Sequence, residues 1–342
     1  MKLRKLHIED YKMFKDFNIS FVDENDEALP IIVLAGVNGS GKTTLLEFIK
    51  RCEYENNDSL SFILTDMDIK IADKPSPYSL ASFIESKDSD ILYLPAGSDK
   101  IENIKETIRQ KYIDRAFEID KPSEALEELQ KYIRAVFDGL DLSFNLSSIN
   151  YNKEEVLFKD NSGNEFDIDE LSTGEKTLLS KILYLYFKEY KDKVILIDEP
   201  ELSLHPSWQN KVLKIYENFV KQNNCQIIIA THSPHIIGSA KPEYIRVLKK
   251  IDDRIEVEQY NQSYGLEFSQ ILTNIMGLEY LRTPDVAKRM DRVKALIIQN
   301  EYDSKEFKDE WQWLEENLGK NYLDLKLLKL EIASRRKNAS NS

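Results

Sequence analysis

Residues 31–44 read IIVLAGVNGSGKTT, a continuous apolar run followed by a glycine-rich loop. A buried parallel strand has this apolar composition because both of its faces are covered. The loop from Gly36 to Thr43 fits the pattern GxxxxGK[ST], and it lies between a strand and a helix, where a phosphate-binding loop belongs. The stretch therefore predicts a nucleotide site at the carboxyl end of a sheet strand. The alternative is a glycine turn that binds nothing.

The loop offers three kinds of contact to a phosphate chain. Its glycines let backbone N–H groups turn inward onto phosphate oxygens, and the following helix adds the positive end of its dipole. We predict that Lys42 reaches the β and γ phosphates of ATP and that Thr43 is a ligand of Mg²⁺. The candidate nucleotide-binding residues of this loop are Asn38, Gly39, Ser40, Gly41, Lys42, Thr43 and Thr44.

A second apolar strand, VILIDEPE at 194–201, runs into acidic residues. The carboxyl ends of parallel strands meet at one edge of a sheet, so these acids are expected beside the phosphate loop. Asp198 is predicted to hold Mg²⁺, directly or through water, and Glu199 to be the general base that polarises the attacking water. The alternative is a pair of acids that caps the next helix, which leaves two adjacent carboxylates without a cation or a shared proton.

The run IIIATHS at 227–233 predicts a third strand of the same kind. His232 follows this strand, where its imidazole can hydrogen-bond the γ-phosphate or the attacking water. Ser233 and Pro234 also read as a helix N-cap followed by proline at the first helical position. Both interpretations can hold together, and His232 is our second catalytic candidate.

A fourth motif, LSTGEK at 171–176, precedes an amphipathic helix. A serine N-cap with exposed amides, together with the helix dipole, makes a second anion site. The phosphate loop already cradles one side of a nucleotide, so a second anion site is explained if it closes on the ATP of another subunit. The alternative is a capped helix without a ligand.

Strand and helix patterns alternate around these motifs. They predict an α/β fold with a mixed, mainly parallel sheet and helices on its faces. Apolar residues at spacings of three and four predict helices within 101–138, and short strands are expected within 142–168. The predicted parts are a nucleotide domain at 1–262 with an inserted helical lobe at about 101–190, a helical region at 263–335 and a disordered tail at 336–342.

Composition limits the partners. The formal net charge of −13 argues against a surface coated with basic charge for grasping DNA, although a local basic patch is compatible with it. Cys52 and Cys225, the two cysteines, form no CxxC pair, which is typical of a reduced protein without structural zinc. We find no signal-peptide core and no apolar run of about 18 residues. The sequence therefore predicts a cytoplasmic protein that does not enter a membrane.

Taken together, the four motifs resemble those of ABC-type ATPases, over about residues 1–250, which implies a P-loop NTPase head. The opening LHIEDYKMFKDF and the run IDEPELSLHPSWQ resemble the RecF/SMC/OLD branch of DNA-associated and defence ATPases. Transporter subunits usually read LSGGQ and LDEPTSALD instead. The later segments FSQILTNIMGLEY and ALIIQNEYDSKEFKDEWQWLEENLG look similar to the ATPase subunits of Septu and retron-associated anti-phage systems.

The resemblance also implies roles for residues outside the phosphate loop. Ser172 and Gly174 would contact the γ-phosphate across a head-to-tail homodimer or a higher even oligomer, and residues 201–205 would couple the two sites. Lys12 matches a basic position that approaches the nucleotide, with a solvated lysine as the alternative. One departure is clear, because Ala96-Gly97-Ser98-Asp99 stands where the family carries a glutamine that contacts metal and water.

On this resemblance, the expected function is an ATPase that dimerises on ATP and regulates a partner effector, a nuclease, in anti-phage defence. The alternative is a RecF/SMC-like ATPase that binds or repairs DNA. A transporter subunit and an ATP-locked scaffold with slow turnover are further alternatives. The chain shows no nuclease motif of its own, since the isolated acids Asp66 and Asp68 lack a glutamate-bearing companion and are better explained as a strand edge or turn.

Three apolar stripes mark the C-terminal region. They are Val286, Met290, Val293 and Ile297; then Phe307, Trp311, Leu314 and Leu318; and then Leu323, Leu327 and Leu330. Stripes of this kind most often pack into a core. The alternative is a docking surface for a partner protein or a second copy of the chain.

Overall fold

The computed structural model describes residues 1–51, 61–65, 69–72, 90–96, 104–138, 144–150, 154–188 and 190–340. The strands are β1 Leu3–Tyr11, β2 Phe14–Ser20, β3 Ile31–Ala35, β4 Ser61–Thr65, β5 Ile69–Ala72, β6 Ile91–Leu94, β7 Phe144–Asn150, β8 Glu155–Asp160, β9 Glu165–Asp167, β10 Val194–Asp198, β11 Gln226–Ala230, β12 Ile245–Ile251 and β13 Arg254–Glu258. The helices are α1 Lys42–Arg51, α2 Ile104–Ile119, α3 Pro122–Val136, α4 Thr173–Phe187, α5 Pro206–Asn223, α6 Pro234–Ser239, α7 Phe268–Gln270, α8 Pro284–Ile298, α9 Lys305–Leu318 and α10 Leu323–Ser340.

The central sheet has the strand order β13-β12-β3-β11-β10-β6, and every neighbouring pair except β12–β13 is parallel. All residues of β3, β10 and β11 are buried, as their continuous apolar sequences predict. The predicted fold class is therefore confirmed, with the phosphate loop, the acidic turn and the histidine following three adjacent strands. Their carboxyl ends lie at one edge of the sheet, and that edge carries the site.

A second sheet, of order β2-β1-β4-β5, is entirely antiparallel. The buried side chain of Gln226 ties it to the central sheet. Its Oε1 accepts from the Leu3 amide at 2.7 Å, and its Nε2 donates to the carbonyls of Leu3 and Leu29 at 3.0 and 2.9 Å. Gln226 is fully buried, so the Leu3 groups have no water to replace this partner. The first residue of β11 thus fixes the start of β1.

The predicted helical lobe contains a sheet as well as helices. α2 and α3 are joined by a short turn, and α4 packs against both of them. Between α3 and α4 lies an antiparallel sheet of order β7-β8-β9, in which the rings of Phe144 and Phe158 meet edge to face at 5.4 Å. The short strands expected within 142–168 account for this sheet, and α4 carries the LSTGEK motif at its beginning.

The chain separates into two compact units, Met1–Ile271 and Leu272–Ser342. This division falls nine residues after the expected end of the nucleotide domain at 262, because α7 still belongs to the first unit. Within that unit the ring of Phe268 lies 4.0 Å from the ring of His235, which explains the later boundary. No helix in the described ranges is long and apolar enough to cross a bilayer.

The second unit packs α8, α9 and α10 around one apolar core. Two of the three predicted stripes contribute to it, through residues such as Met290 and Leu314. The third stripe is wrong as a core prediction, because Leu323, Leu327 and Leu330 are 67%, 55% and 67% exposed. The buried face of α10 consists instead of Leu325 and Leu328, with Ile332 packed against them.

The tail expected to be disordered from 336 is helical as far as Ser340. Ion pairs on the last turns explain this difference. Arg335 contacts Glu331 at 2.9 Å, and Arg336 contacts Asp303 at 2.5 Å across to the segment before α9. Basic side chains near a helix C-terminus also interact favourably with the helix dipole.

We expect Gln226→Leu to lower the free energy of unfolding by about 2–4 kcal/mol, because it leaves buried backbone groups of β1 without partners at similar side-chain volume. Urea unfolding measures the change. Gln259→Leu is the matched control, since Gln259 is exposed. Equal stability of the two variants would show that the link between the two sheets is energetically unimportant.

Candidate nucleotide site

The phosphate loop has the backbone of a phosphate cradle before any ligand binds. Gly36, Gly39 and Gly41 have φ angles of 143°, 79° and 92°, which side chains strongly disfavour. Neighbours also exclude a Cβ, because one on Gly36 would lie 2.5 Å from the Leu248 carbonyl oxygen. One on Gly41 would lie 2.7 Å from Sδ of Met13. Local packing thus disfavours a side chain at Gly36 and Gly41, whereas at Gly39 the positive φ angle alone does so.

Lys42 lies inside this loop and is only 4% exposed. Its ammonium donates to the carbonyls of Gly36 and Val37 at 2.8 and 3.2 Å, and it lies 3.3 Å from Nδ1 of His232. Burial lowers the pKa of Lys42 to about 8, against the opposing effect of Asp198. The loop therefore holds a buried cation among neutral groups, and a bound phosphate would compensate its charge.

Thr43 and Asp198 form the expected metal pair. The Thr43 hydroxyl donates to Oδ1 of Asp198 at 3.2 Å, so the helix after β3 and the end of β10 meet here. Burial, with a smaller contribution from the neighbouring Glu199, raises the pKa of Asp198 to about 6. Two hard oxygen ligands, one of them a buried carboxylate short of positive charge, fit Mg²⁺. The chemistry of these residues agrees with the predicted ion.

Glu199 has a left-handed backbone, with a φ of 44°. This conformation is costly for a residue other than glycine, and it persists only where the surroundings enforce it. Its amide donates to the Ala230 carbonyl at 2.9 Å, which continues the pairing of β10 with β11 by one residue. The carboxylate is one-third exposed, and its Oε1 lies 3.8 Å from Nε2 of His232. Both predicted catalytic groups therefore face the same space.

His232 stands between the other site residues. Its two ring nitrogens lie near Lys42 and Glu199, and burial, together with the Lys42 charge, lowers its pKa. The ring is thus kept neutral around pH 7 and can accept as well as donate a hydrogen bond. Ser233 caps α6 through its hydroxyl, which accepts from the amides of His235 and Ile236. The N-cap interpretation of this segment is confirmed, and the role of His232 at the nucleotide stays a prediction.

Glu201 was not predicted as an individual site residue, although it lies in the expected coupling loop 201–205. Its Oε1 accepts from the Thr231 hydroxyl and from the His232 amide, both at 2.7 Å. Its Oε2 is buried and has no hydrogen-bond partner among the residues that the structure describes, and burial raises the pKa of the Glu201 carboxyl. Glu201 therefore fastens the histidine turn to the acidic turn. The sequence feature that could have identified Glu201 is a third acidic residue directly after Glu199-Pro200, in a segment that packs into the interior.

The LSTGEK motif begins α4 with a capping box. The Ser172 hydroxyl donates to Oε2 of Glu175 at 2.7 Å and accepts from the Glu175 amide at 3.3 Å. A Cβ on Gly174 would lie 2.3 Å from the Ser203 carbonyl oxygen, so glycine permits a close approach within one chain. No hydrogen bond in the described residues joins Ser172 to the phosphate loop. The N-cap expected at Ser172 is confirmed, and a role of Ser172 and Gly174 at a nucleotide stays a prediction.

Lys12 lies in the turn between β1 and β2, which covers the phosphate loop through Met13. The Lys12 side chain is half exposed, with its ammonium 3.8 Å from Oε2 of Glu47 and 5.3 Å from the Tyr11 ring centroid. A nucleotide role for Lys12 stays a prediction. Residues 97–99 of the segment that lacks the glutamine, and the acids Asp66 and Asp68, lie outside the described residues.

The comparison with protein families agrees with this geometry. The family described as "AAA ATPase domain" matches residues 1–93 and 95–237. This match covers well over half of the sequence, and the chain belongs to that ATPase family. ATP hydrolysis is the general activity of such a domain, and the matched range includes the phosphate loop, Asp198, Glu199 and His232.

Curated relatives place the chain more narrowly. It is 31% identical over 166 residues to the Septu protein PtuA of Bacillus thuringiensis, covering 43% of this chain and 41% of the relative. It is 25% identical over 162 residues to the Retron Vc95 probable ATPase of Vibrio cholerae, covering 43% and 31%. It is 32% identical over 92 residues to the OLD nuclease of Thermus scotoductus, covering 26% and 17%. These alignments span less than half of each relative. The predicted resemblance to defence-associated ATPases of the SMC/OLD-like branch is confirmed.

We expect the affinity for ATP to fall as the pH rises above about 8, because the free chain then loses the Lys42 proton that binding requires. The sign follows from linkage, since a phosphate chain favours the ammonium form and raises its pKa in the complex. The association constant should fall by up to about tenfold per pH unit between about pH 8 and 9.5. Fluorescent-nucleotide titration measures it. Lys42→Met should bind weakly with no such slope, and a wild-type affinity independent of pH would contradict the assignment.

Proposed function

We propose that this protein is a cytoplasmic ATPase that closes as a head-to-tail homodimer on ATP and Mg²⁺, and that this closure regulates a partner effector in anti-phage defence. The observation that carries the proposal is the convergence of Lys42, Thr43, Asp198, Glu199 and His232 at one sheet edge. These five groups supply phosphate binding, metal ligation and a base beside a neutral imidazole. Such a set fits phosphoryl transfer to water.

The residues divide the work of hydrolysis. Lys42 would bind the β and γ phosphates. Thr43 and Asp198 would hold Mg²⁺, which would supply positive charge to the phosphate oxygens. Glu199 accepts a proton from the attacking water. The fixed turn around Glu199 limits the directions from which its carboxylate can approach the water. His232 donates a hydrogen bond to the γ-phosphate and orients it against Glu199. Glu201 keeps His232 in place through the backbone.

Dimerisation follows from the separation of the two anion sites. Ser172 caps α4, and Gly174 lies in its first turn. Their backbone amides and the Ser172 hydroxyl suit a phosphate other than the one bound by the phosphate loop of the same chain. In a two-fold dimer each α4 would face the ATP of the other subunit, giving two identical composite sites. The hydroxyl of Ser172 must first leave Glu175, so ATP of the partner subunit competes with an internal carboxylate. The dimer is thus favoured only when nucleotide is bound.

The effector is proposed from the relatives. The aligned proteins are named as Septu and retron components and as an OLD nuclease, and the described residues contain no cluster of metal-ligating side chains that would serve a nuclease. We therefore propose that the nuclease is a separate protein gated by dimer opening and closing. A DNA-binding role is the second candidate. It predicts salt-sensitive DNA binding that ATP strengthens, which the net charge of −13 disfavours.

We expect Glu199→Gln to reduce kcat by about 10²–10⁴-fold while ATP still binds, because the amide cannot take the water proton. The closed dimer should accumulate with ATP in size-exclusion chromatography coupled to light scattering. Cells that carry the system with this variant should lose protection in phage plating assays. Unchanged hydrolysis would remove Glu199 from the mechanism, and a monomer at saturating ATP would remove dimerisation.

We also expect an inactive pair of variants to restore activity when mixed. Lys42→Ala disables the phosphate loop and Ser172→Arg disables the opposite anion site, so each homodimer has no complete site. A mixed dimer has one complete site, and random pairing predicts up to about a quarter of the wild-type rate. Steady-state phosphate release at varied mixing ratios measures this. Lys42→Ala mixed with Lys42→Ala/Ser172→Arg is the control, since no complete site can form there. A mixture as inactive as its components would argue against composite sites.

A further inference from the structure

The signature helix α4 carries a buried cation that the four motifs do not explain. Lys181 is 4% exposed, and it and Lys42 are the two buried lysines among the residues that the structure describes. Lys42 has a role in phosphate binding, whereas Lys181 lies nine positions after the Ser172 cap, in a helix whose neighbouring positions Leu178, Leu179 and Ile182 are apolar and buried. A lysine at such a position costs desolvation unless it has a specific partner.

The partner of Lys181 is the turn that carries the catalytic carboxylate. Its ammonium lies 3.5 Å from the backbone carbonyl oxygen of Glu199. The same oxygen accepts from the Leu202 amide at 3.1 Å, which closes the turn. Glu199 is the residue with the left-handed backbone, at a φ of 44°. Two donors therefore meet on the carbonyl that immediately follows the strained torsion angle.

Electrostatics explain why Lys181 is tolerated in the interior. Burial lowers its pKa, and the carboxylates of Glu201, Asp198 and Glu199 act in the opposite direction. These three acidic residues lie in the turn or directly before it, and Lys42 is the other lysine near them. Lys42 is proposed to bind phosphates, whereas the contact of Lys181 with the turn does not depend on nucleotide.

The other end of the turn also rests on α4. Gly174 approaches the Ser203 carbonyl oxygen so closely that a Cβ there would lie 2.3 Å from it. Ser203 has a left-handed backbone too, with a φ of 67°. The turn Glu199–Ser203 is thus held at its first residue by Lys181 and at its last by Gly174. Both contacts come from the helix whose first turn is the proposed site for the partner's ATP.

We propose that Lys181 is a positioning residue for hydrolysis, which holds the Glu199 carbonyl and so fixes the direction of the Glu199 carboxylate. The proposal rests on the role of Glu199 given above. Lys181 acts through the backbone carbonyl of Glu199. Because it belongs to α4, it also makes the position of Glu199 depend on the helix that the partner's ATP would engage.

Lys181→Met tests this with similar side-chain length and no charge. We expect kcat to fall about 10- to 100-fold, as for other small displacements of a reacting group, with the KM for ATP and the affinity for a fluorescent ATP analogue within about twofold of wild type. Lys181→Arg should recover part of the lost kcat. Lys188→Met is the matched control, an equal change on an exposed lysine at the end of the same helix, and it should behave as wild type.

Hydrogen–deuterium exchange gives a readout that does not depend on turnover. In Lys181→Met the peptide covering 198–204 should exchange faster, because the carbonyl that accepts from Leu202 has lost its second donor, while the peptide covering β11 should be unchanged. If the wild type and all variants fail to hydrolyse ATP, the proposed function fails and exchange still decides the role of Lys181. Wild-type kcat or unchanged exchange in Lys181→Met would overturn the inference, as would an equal loss of ATP affinity and kcat.

Discussion

The parallel pairing of β10 with β11, and of β11 with β3, is the constraint on which the site depends. Asp198 lies opposite Ala230, and Ala230 lies opposite Leu34, so three chain segments leave the sheet at the same level. The Glu199 amide extends this register by bonding to the Ala230 carbonyl. A shift of one residue in either pair would turn buried side chains to the opposite face and separate the groups that must meet. Catalytic geometry is here a consequence of strand register.

The charges at this edge of the sheet favour a ligand that carries both positive and negative charge. Asp198, Glu199 and Glu201 bring three carboxylates together, and burial raises the pKa of Asp198 and of Glu201. The buried lysines 42 and 181 are both destabilised by the same burial. A ligand that brings a dication and a polyanion together would add opposite charge to both sets.

The sequence predicted the parts of the structure that follow local rules. Continuous apolar strands, a glycine loop and a serine N-cap are local signals of secondary structure, and β3, α1, β10, β11 and the start of α4 lie where they were expected. The roles of Glu201 and Lys181 could not be predicted, because each depends on which turn of another segment packs against it. The leucines of α10 show the same limit. Their spacing predicted one apolar stripe, but α10 has leucines on two faces, and the face with Leu325 and Leu328 packs into the core.

Communication between two nucleotide sites requires an element that both sites contact. In the proposed dimer α4 would meet that requirement, because its first turn would bind the partner's ATP and the same helix contacts the turn Glu199–Ser203 through Gly174 and Lys181. The Ser172 hydroxyl donates to the carboxylate of Glu175, and a phosphate bound there would have to replace this contact. A small movement of α4 on exchanging these partners would reach Glu199 directly, since packed interiors transmit displacement rather than absorb it. In the head-to-tail dimer that we propose, hydrolysis would therefore respond to closure, which is the property that a regulator of another protein needs.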